Sequence, residues 1–261
     1  MKSEVKSELN ELLQFAVELG RGAGEITLDY FRKKPETNTK SDGSYVTIAD
    51  RKAESYLREQ IAKRFPDDGV LGEEEGESLG RSGRRWIVDP IDGTFTFVHG
   101  VPFYGVLIAL EIEGESSVGV VNIPALGEMV AAARGVGCFL NGEPARVSST
   151  AELKDSLLLA TDFTSCARYG FGRAAALLQE RVKTSRTWGD CYGYVLVATG
   201  RADVMLDPVM NLWDCAPLLP IMEEAGGTFT DWRGVRTIVG GNSIATNGKL
   251  FNEVLSLVRD R

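Results

Sequence analysis

Trp86-Ile87-Val88-Asp89-Pro90-Ile91-Asp92-Gly93-Thr94 is an apolar run that ends in two acids, a glycine and a hydroxyl. It reads as a buried strand with Asp89 and Asp92 at its end. Acids this close repel, and taking each out of water costs roughly several kcal/mol. A divalent metal is the simplest compensation. Gly93 lets the backbone approach an oxyanion, Thr94 offers an N–H and a hydroxyl, and the Ile91 carbonyl is a further hard oxygen. A helical turn starting at Thr94 would aim its free N–H groups at the same phosphate. The competing reading is an ordinary Asp-Pro…Asp-Gly turn leaving a strand.

Upstream, the short apolar run Val70-Leu71 leads into Gly72-Glu73-Glu74-Glu75. Alone this would be a solvated acidic turn. It gains weight because both acidic clusters follow apolar strands. The first 31 residues have helical periodicity, with Leu9, Leu12, Leu13, Ala16, Leu19, Ala23, Ile26 and Tyr30 on one face. Pro35 and the polar stretch Thr37 to Ser44 end that helix. A second helix begins near Thr47, buries Ala53, Tyr56, Leu57 and Ile61, and stops before Pro66. Thr47 and Asp50 resemble a capping box. Asp50 could instead hydrogen-bond the Thr94 hydroxyl and help orient a water.

Downstream the pattern changes to short apolar runs: Gly105 to Ile112, Val118 to Ile123, Met129 to Ala133, and Cys138 to Leu140. The first half, 1–150, reads as α+β with a largely antiparallel sheet. From about residue 155, strand and helix alternate. Strands are expected at Ser156 to Ala160, Val182 to Thr187, Ala202 to Leu206 and Thr228 to Thr230. Helices are expected at Phe171 to Arg181, Tyr192 to Thr199 and Trp213 to Ala225. That alternation indicates a layered α/β half, 151–261. With no repeat, low-complexity segment or linker, one compact domain over 1–261 is expected. Asp214 fits a helix N-terminal position, where a carboxylate is favoured. It could equally be a ligand supplied from the distal half.

The net charge of -8 and the lack of a basic stripe argue against nucleic acid. No apolar stretch is long enough to span a membrane. Residues Lys2 to Glu8 lack the apolar core of a signal peptide, and Cys138, Cys166, Cys191 and Cys215 form no Cys-x-x-Cys pair. A cytoplasmic protein with reduced thiols is expected. The single histidine, His99, precludes a His-rich metal cluster and is read as structural.

Taken together, Gly72-Glu73-Glu74, Asp89 to Thr94, Trp213-Asp214 and Glu224-Ala225-Gly226-Gly227 resemble the inositol monophosphatase superfamily of lithium-sensitive, Mg2+-dependent phosphatases. The resemblance runs from the Lys40 to Asp50 region to Thr246-Asn247-Gly248. It implies a layered αβαβα sandwich of the inositol monophosphatase and fructose-1,6-bisphosphatase type. Within the superfamily, Phe97 to Gly105 and Arg186-Thr187-Trp188-Gly189-Asp190-Cys191-Tyr192-Gly193-Tyr194 are most similar to the histidinol-phosphate phosphatase branch. Phe95-Thr96 departs from the Lys-Ser that this branch often carries.

The resemblance implies roles. Glu73, Asp89 and the Ile91 carbonyl would hold one Mg2+; Asp89, Asp92 and Asp214 a second; Glu73 a weaker third through water. Mn2+ would substitute, since hard oxygens suit both ions. A water oriented by Glu73 and the Thr94–Asp50 pair would attack phosphorus, with the Gly93 and Thr94 amides stabilising phosphoryl charge. The substrate would be a small phosphorylated metabolite, here histidinol phosphate. An inositol phosphate or another sugar phosphate is the alternative, and an inactive binding protein a more distant one. Asp190 and then Asp207 are candidates to face the cationic leaving group, although Asp190 also reads as a helix cap. Arg186 would tie Asp190 in place or contact phosphate. A homodimer is implied.

Overall fold

The structure is a computed structural model that describes residues 3–40 and 43–259. Met1 and Lys2 of the expected first helix, and positions 41 and 42 of the polar stretch, lie outside the described residues. Helix α1 (Ser3–Leu28) precedes a two-stranded hairpin, β1 (Thr37–Thr39) and β2 (Tyr45–Thr47), and then α2 (Ile48–Arg64). The hairpin was not expected, because β1 is polar and β2 has only three residues, too few to show an alternation.

A mixed eight-stranded sheet follows. It contains β3 (Gly69–Gly72), β4 (Gly76–Ser78), β5 (Arg84–Asp92), β6 (Gly105–Ile112), β7 (Glu115–Ile123), β8 (Glu128–Ala133), β9 (Gly137–Leu140) and β10 (Glu143–Pro144). The spatial order is β10-β9-β8-β7-β6-β5-β3-β4. Only β3 and β5 pair in parallel; the other neighbours are antiparallel, as the sequence indicates. A one-turn helix, α3 (Thr94–Val98), leaves the end of β5.

The distal half has a five-stranded sheet formed by β11 (Leu157–Ala160), β12 (Thr184–Arg186), β13 (Val204–Asp207), β14 (Thr228–Thr230) and β15 (Ser243–Thr246), in the order β12-β11-β13-β15-β14. Its helices are α4 (Phe163–Arg168), α5 (Gly172–Arg181), α6 (Asp190–Ala198), α7 (Leu212–Glu224) and α8 (Phe251–Arg259).

Side-chain alternation sets the layers. Along β6, Val106, Ile108 and Leu110 pack with α1 and α2, whereas Leu107 packs with α6 and α7. Along β13, Met205 joins that same central layer, whereas Val204 and Leu206 face α5 and α8. The result is the expected αβαβα sandwich, helix pair to sheet to helix pair to sheet to helices. No described helix is long and apolar enough to cross a membrane.

Helix α7 carries Pro217 and Pro220 in its interior, where each removes a backbone donor. Ser116 of β7 donates its hydroxyl to the Ala216 carbonyl at 2.6 Å, the acceptor that Pro220 leaves unused. Gly119 admits the close approach: a Cβ there would lie 2.1 Å from the Pro217 carbonyl oxygen. This seats α7 against the large sheet and brings Asp214 toward the end of β5.

Candidate active site

Asp89 and Asp92 are three residues apart, so a regular strand would turn them to opposite faces. Pairing with β6 shows why they meet. Asp89 lies opposite Leu107 and Asp92 opposite Gly105, so β5 spends three steps where β6 spends two. This β-bulge restores both carboxylates to one side. Pro90, which has no N–H to give, sits inside it. The Ile91 amide donates to Asp89 Oδ1 at 3.0 Å, and the Ile91 side chain is buried with Ala49, Phe97 and Tyr104. Gly105 is required opposite the bulge, because a Cβ there would lie 2.5 Å from the Cys191 sulfur.

Gly93 follows in the left-handed region (φ 77°, ψ 44°) and opens α3. Thr94 Oγ1 donates to the Ile91 carbonyl at 3.0 Å and lies 3.5 Å from Asp50 Oδ1. Asp50 makes both contacts that the sequence left open. Its Oδ2 accepts from the Thr47 amide (2.8 Å) and hydroxyl (2.6 Å), closing the capping box of α2, while Oδ1 faces Thr94. Asp214 is likewise both a cap and a member of the cluster. Its Oδ2 accepts from the Asn211 amide at 2.7 Å, and its carboxylate joins those of Asp89 and Asp92.

One oxygen from each of Asp89, Asp92 and Asp214 lies within 4.8 Å of the others. Glu73 lines the same cavity, of about 350 Å³, together with Ile91, Gly93, Thr94, Tyr45, Phe95 and Trp213. The Glu73 carboxylate is held by Lys40 Nζ at 2.7 Å, which also reaches Glu74 at 2.6 Å. Burial, reinforced by the neighbouring charges of Glu73, Asp92 and Asp214, pushes Asp89 well above the usual carboxylate range. Burial and the charges of Asp190 and Asp214 do the same to Asp92. Asp214 is pushed up to about 7, chiefly by burial, and Asp50 to about 6 for the same reason.

Among the described residues, no Lys or Arg forms an ion pair with Asp89, Asp92 or Asp214. One buried and two half-buried carboxylates, with oxygens within 4.8 Å of one another and no paired Lys or Arg, fit a divalent metal bound through oxygen.

A second cavity, of about 280 Å³, opens from the same Asp92 and Asp214 and is lined by Asp162, Asp190 and Asp207 with Thr161, Ser165 and Tyr194. The Asp190 backbone is left-handed, φ 49°, an uncommon state for a residue with a side chain. Its carboxylate does not cap α6. Instead Thr96 Oγ1 donates to Asp190 Oδ2 at 2.8 Å, and the Asp190 amide donates to Thr161 Oγ1 at 2.8 Å. Gly93 makes room for this carboxylate, since a Cβ there would lie 2.8 Å from Asp190 Oδ2. The next amide, of Cys191, donates to Asp92 Oδ2 at 2.6 Å, so α6 ties the two cavities together. Asp207 accepts from the Tyr194 hydroxyl at 2.8 Å, and burial pushes it up to about 7.

The contacts add detail at Arg186, at Phe95-Thr96 and at two residues that no motif marks. Arg186 lies exposed on β12 and gives its Nη1 hydrogen bonds to Thr184 Oγ1 and the Ser185 carbonyl, so it neither ties Asp190 nor joins the acid cluster. Phe95-Thr96 is part of the site: Phe95 walls the first cavity and Thr96 orients Asp190. Asp162 and Thr161, which no motif flags, also line the second cavity. Asp162 caps α4 through the Thr164 and Ser165 amides, an Asp-x-Thr-Ser pattern that sequence alone could have marked as a cap. His99 is exposed, stacked on Phe95 at 4.2 Å and bonded to the Phe95 carbonyl, consistent with a structural role. A larger groove, about 580 Å³, runs along α1 away from all these acids.

Residues 8–261 match the inositol monophosphatase family, and the chain belongs to that family. It is 48% identical over 255 residues to the histidinol-phosphatase of Chlorobaculum parvum, covering 95% of this chain and 98% of that protein. It is 43% identical over 250 residues to the histidinol-phosphatase of Mycobacterium tuberculosis, covering 94% and 96%. Among solved structures, the Thermotoga maritima IMPase superposes with a TM-score of 0.87 at 32% identity, covering 96% of this chain and 97% of that one. The two histidinol-phosphatase relatives agree with the histidinol-phosphate phosphatase branch, and the solved structure with the fold.

Proposed function

We propose that this protein is a Mg2+-dependent phosphatase that hydrolyses histidinol phosphate to histidinol and phosphate, a step of L-histidine synthesis. The observation that carries the substrate choice is the second cavity. It opens from the acid cluster and is lined by Asp162, Asp190 and Asp207, with no Lys, Arg or His among its described lining residues. Such a cavity suits a leaving group bearing an amine and an imidazole. It would repel a second phosphate, and a buried acid left without its cationic partner penalises a neutral polyol.

In this reading Glu73, Asp89, Asp92, Asp214 and the Ile91 carbonyl hold two or three Mg2+ ions, which Mn2+ can replace. Bound there, the metal supplies positive charge that restores the carboxylates to their ionised form and stabilises the phosphoryl and leaving oxygens. The Gly93 and Thr94 amides bind the phosphoryl oxygens. Glu73 and Thr94 Oγ1 orient the attacking water, and Thr94 passes its proton toward Asp50 Oδ1. A new P–O bond forms to the water oxygen, the P–O bond to histidinol breaks, and the departing oxygen takes a proton from solvent. No phosphoenzyme is formed. Asp190, oriented by Thr96, and Asp207, oriented by Tyr194, hold the cationic leaving group. A cytoplasmic homodimer is also part of the proposal, resting on family resemblance; light scattering of the purified protein checks its mass.

The reading is tested by phosphate release with Mg2+ from histidinol phosphate, inositol 1-phosphate, fructose 1,6-bisphosphate and adenosine 3′,5′-bisphosphate. Histidinol phosphate is expected to give the highest kcat/KM. A marked preference for inositol 1-phosphate would reassign the second cavity to hydroxyl recognition, and no turnover of any ester with Mg2+ or Mn2+ would favour a binding protein.

A further inference from the structure

Helix α2 presents Asp50, Glu54 and Arg58 at four-residue spacing, on one face. Asp50 meets the β5 turn through Thr94. One turn further, Glu54 is 0% exposed and meets the other acidic turn, Glu73 to Glu75. Its Oε2 accepts from the Glu74 amide at 2.8 Å, and its Oε1 from the Glu75 amide at 3.0 Å and from Arg58 Nε at 2.9 Å. Arg58 Nη2 in turn reaches the Gly76 carbonyl at 2.5 Å, just past the turn. Gly72 admits the carboxylate, since a Cβ there would lie 2.1 Å from Glu54 Oε1. A buried acid behind three other acids is electrostatically unfavourable, and Arg58 compensates it. Only a carboxylate meets the demand. Two backbone donors and a guanidinium all need acceptors, and an amide side chain would turn an NH2 group toward one of them.

We propose that Glu54 is a positioning residue for metal binding: by holding the 74 and 75 amides it fixes the backbone from which Glu73 reaches into the first cavity. This rests on the reading of Glu73 as a metal ligand. With α2 holding one acidic turn through Asp50 and the other through Glu54, a single rigid helix sets the separation of the two turns.

Mn2+ binding to the metal-free protein, followed by electron paramagnetic resonance, tests it alongside Mg2+ activation. Outer partners of metal ligands typically alter affinity by about 10–100-fold. Glu54→Gln is expected to weaken Mn2+ binding and to raise the Mg2+ activation midpoint by roughly tenfold, with kcat at saturating Mg2+ nearly retained and KM for substrate unchanged. A merely structural role would lower the melting temperature without moving the midpoint. Glu73→Gln separates the two layers of the claim. Weakened binding in Glu73→Gln with wild-type binding in Glu54→Gln would overturn the positioning role alone. Wild-type binding in Glu73→Gln would overturn the ligand reading and the inference with it. Should Glu54→Gln fail to fold, Gly72→Ala displaces the same carboxylate and is expected to weaken Mn2+ binding likewise. In the unmodified metal-free protein, the 74 and 75 amides are expected to be protected from hydrogen exchange, and free exchange at both would overturn the proposal.

Discussion

The cavity around Asp89 and the cavity around Asp190 share two walls, Asp92 and Asp214, but they are assembled by different means. The first draws several of its parts from short-range devices, a left-handed Gly93 and caps that use Asp50 and Asp214, added to a bulge over Asp89 to Asp92 that the pairing with β6 sets. The second depends on long-range meetings. Thr96 orients Asp190 across 94 residues, and Asp190 binds Thr161 from another loop. The difference separates general from particular chemistry. On the proposed function, the segment Asp89 to Thr94 would serve the metal and the phosphate, and the leaving group would be read where Thr96, Thr161 and Asp190 converge.

That division is broken most severely by removing a carboxylate from the shared cluster. Asp92→Asn is expected to lower kcat on every ester by roughly 10³-fold or more, because the loss is common to all substrates. The same change should raise the stability of the metal-free protein, since it removes one of several mutually repelling buried acids. Phosphate release on two unrelated esters and thermal melts in chelator check this; near-normal turnover would contradict the metal role.

The second cavity has its own pH signature. Asp207 is raised from 3.8 to about 7 in the folded protein, chiefly by burial. Between these values the folded state holds the proton more tightly than the unfolded state, so this group destabilises the fold progressively as pH rises from about 4 to about 7. Asp207→Asn lacks that loss. In chelator, its stability relative to wild type should therefore improve over that window by on the order of 2–4 kcal/mol, and then level off. A difference that does not vary with pH would mean Asp207 is ionised throughout.

A smaller effect is expected from Thr96→Val, which removes the hydroxyl that orients Asp190 while leaving the carboxylate in place. Losing one hydrogen bond of this kind is worth about 1 kcal/mol, so kcat/KM for histidinol phosphate should fall by about fivefold. A simple aryl phosphate should be unaffected. An equal loss on both esters would make Thr96 part of the general machinery.

The same contrast explains what the sequence could show. Asp89, Ile91, Asp92, Gly93 and Thr94 are legible because they stand together in one short segment after an apolar run, and Glu73 because its turn follows a short apolar strand. The bulge that brings Asp89 and Asp92 together is not legible, since it exists only in the register with β6. For Asp50 and Asp214, sequence poses a cap and a place in the acid site as alternatives, but each carboxylate caps its helix and also faces the acid site, Asp50 toward Thr94 and Asp214 toward Asp89 and Asp92. Arg186 bonds Thr184 and the Ser185 carbonyl beside it on β12, a local pairing that its nearness to Asp190 in sequence does not announce. The polar hairpin β1–β2 and the four-residue β15 leave no periodic trace. Helix α8 does leave one, in Phe251, Val254, Leu255 and Val258.

The central claim is that the two cavities divide the work between chemistry and substrate choice. Steady-state kcat/KM for histidinol phosphate and for an aryl phosphate, each in wild type and in Asp190→Asn, tests it most directly. The account predicts that Asp190→Asn loses about 10–100-fold on histidinol phosphate, the cost of an unpaired charged contact, while the aryl phosphate rate stays within about threefold. Equal loss on both substrates would contradict it, and would return Asp190 to a structural role.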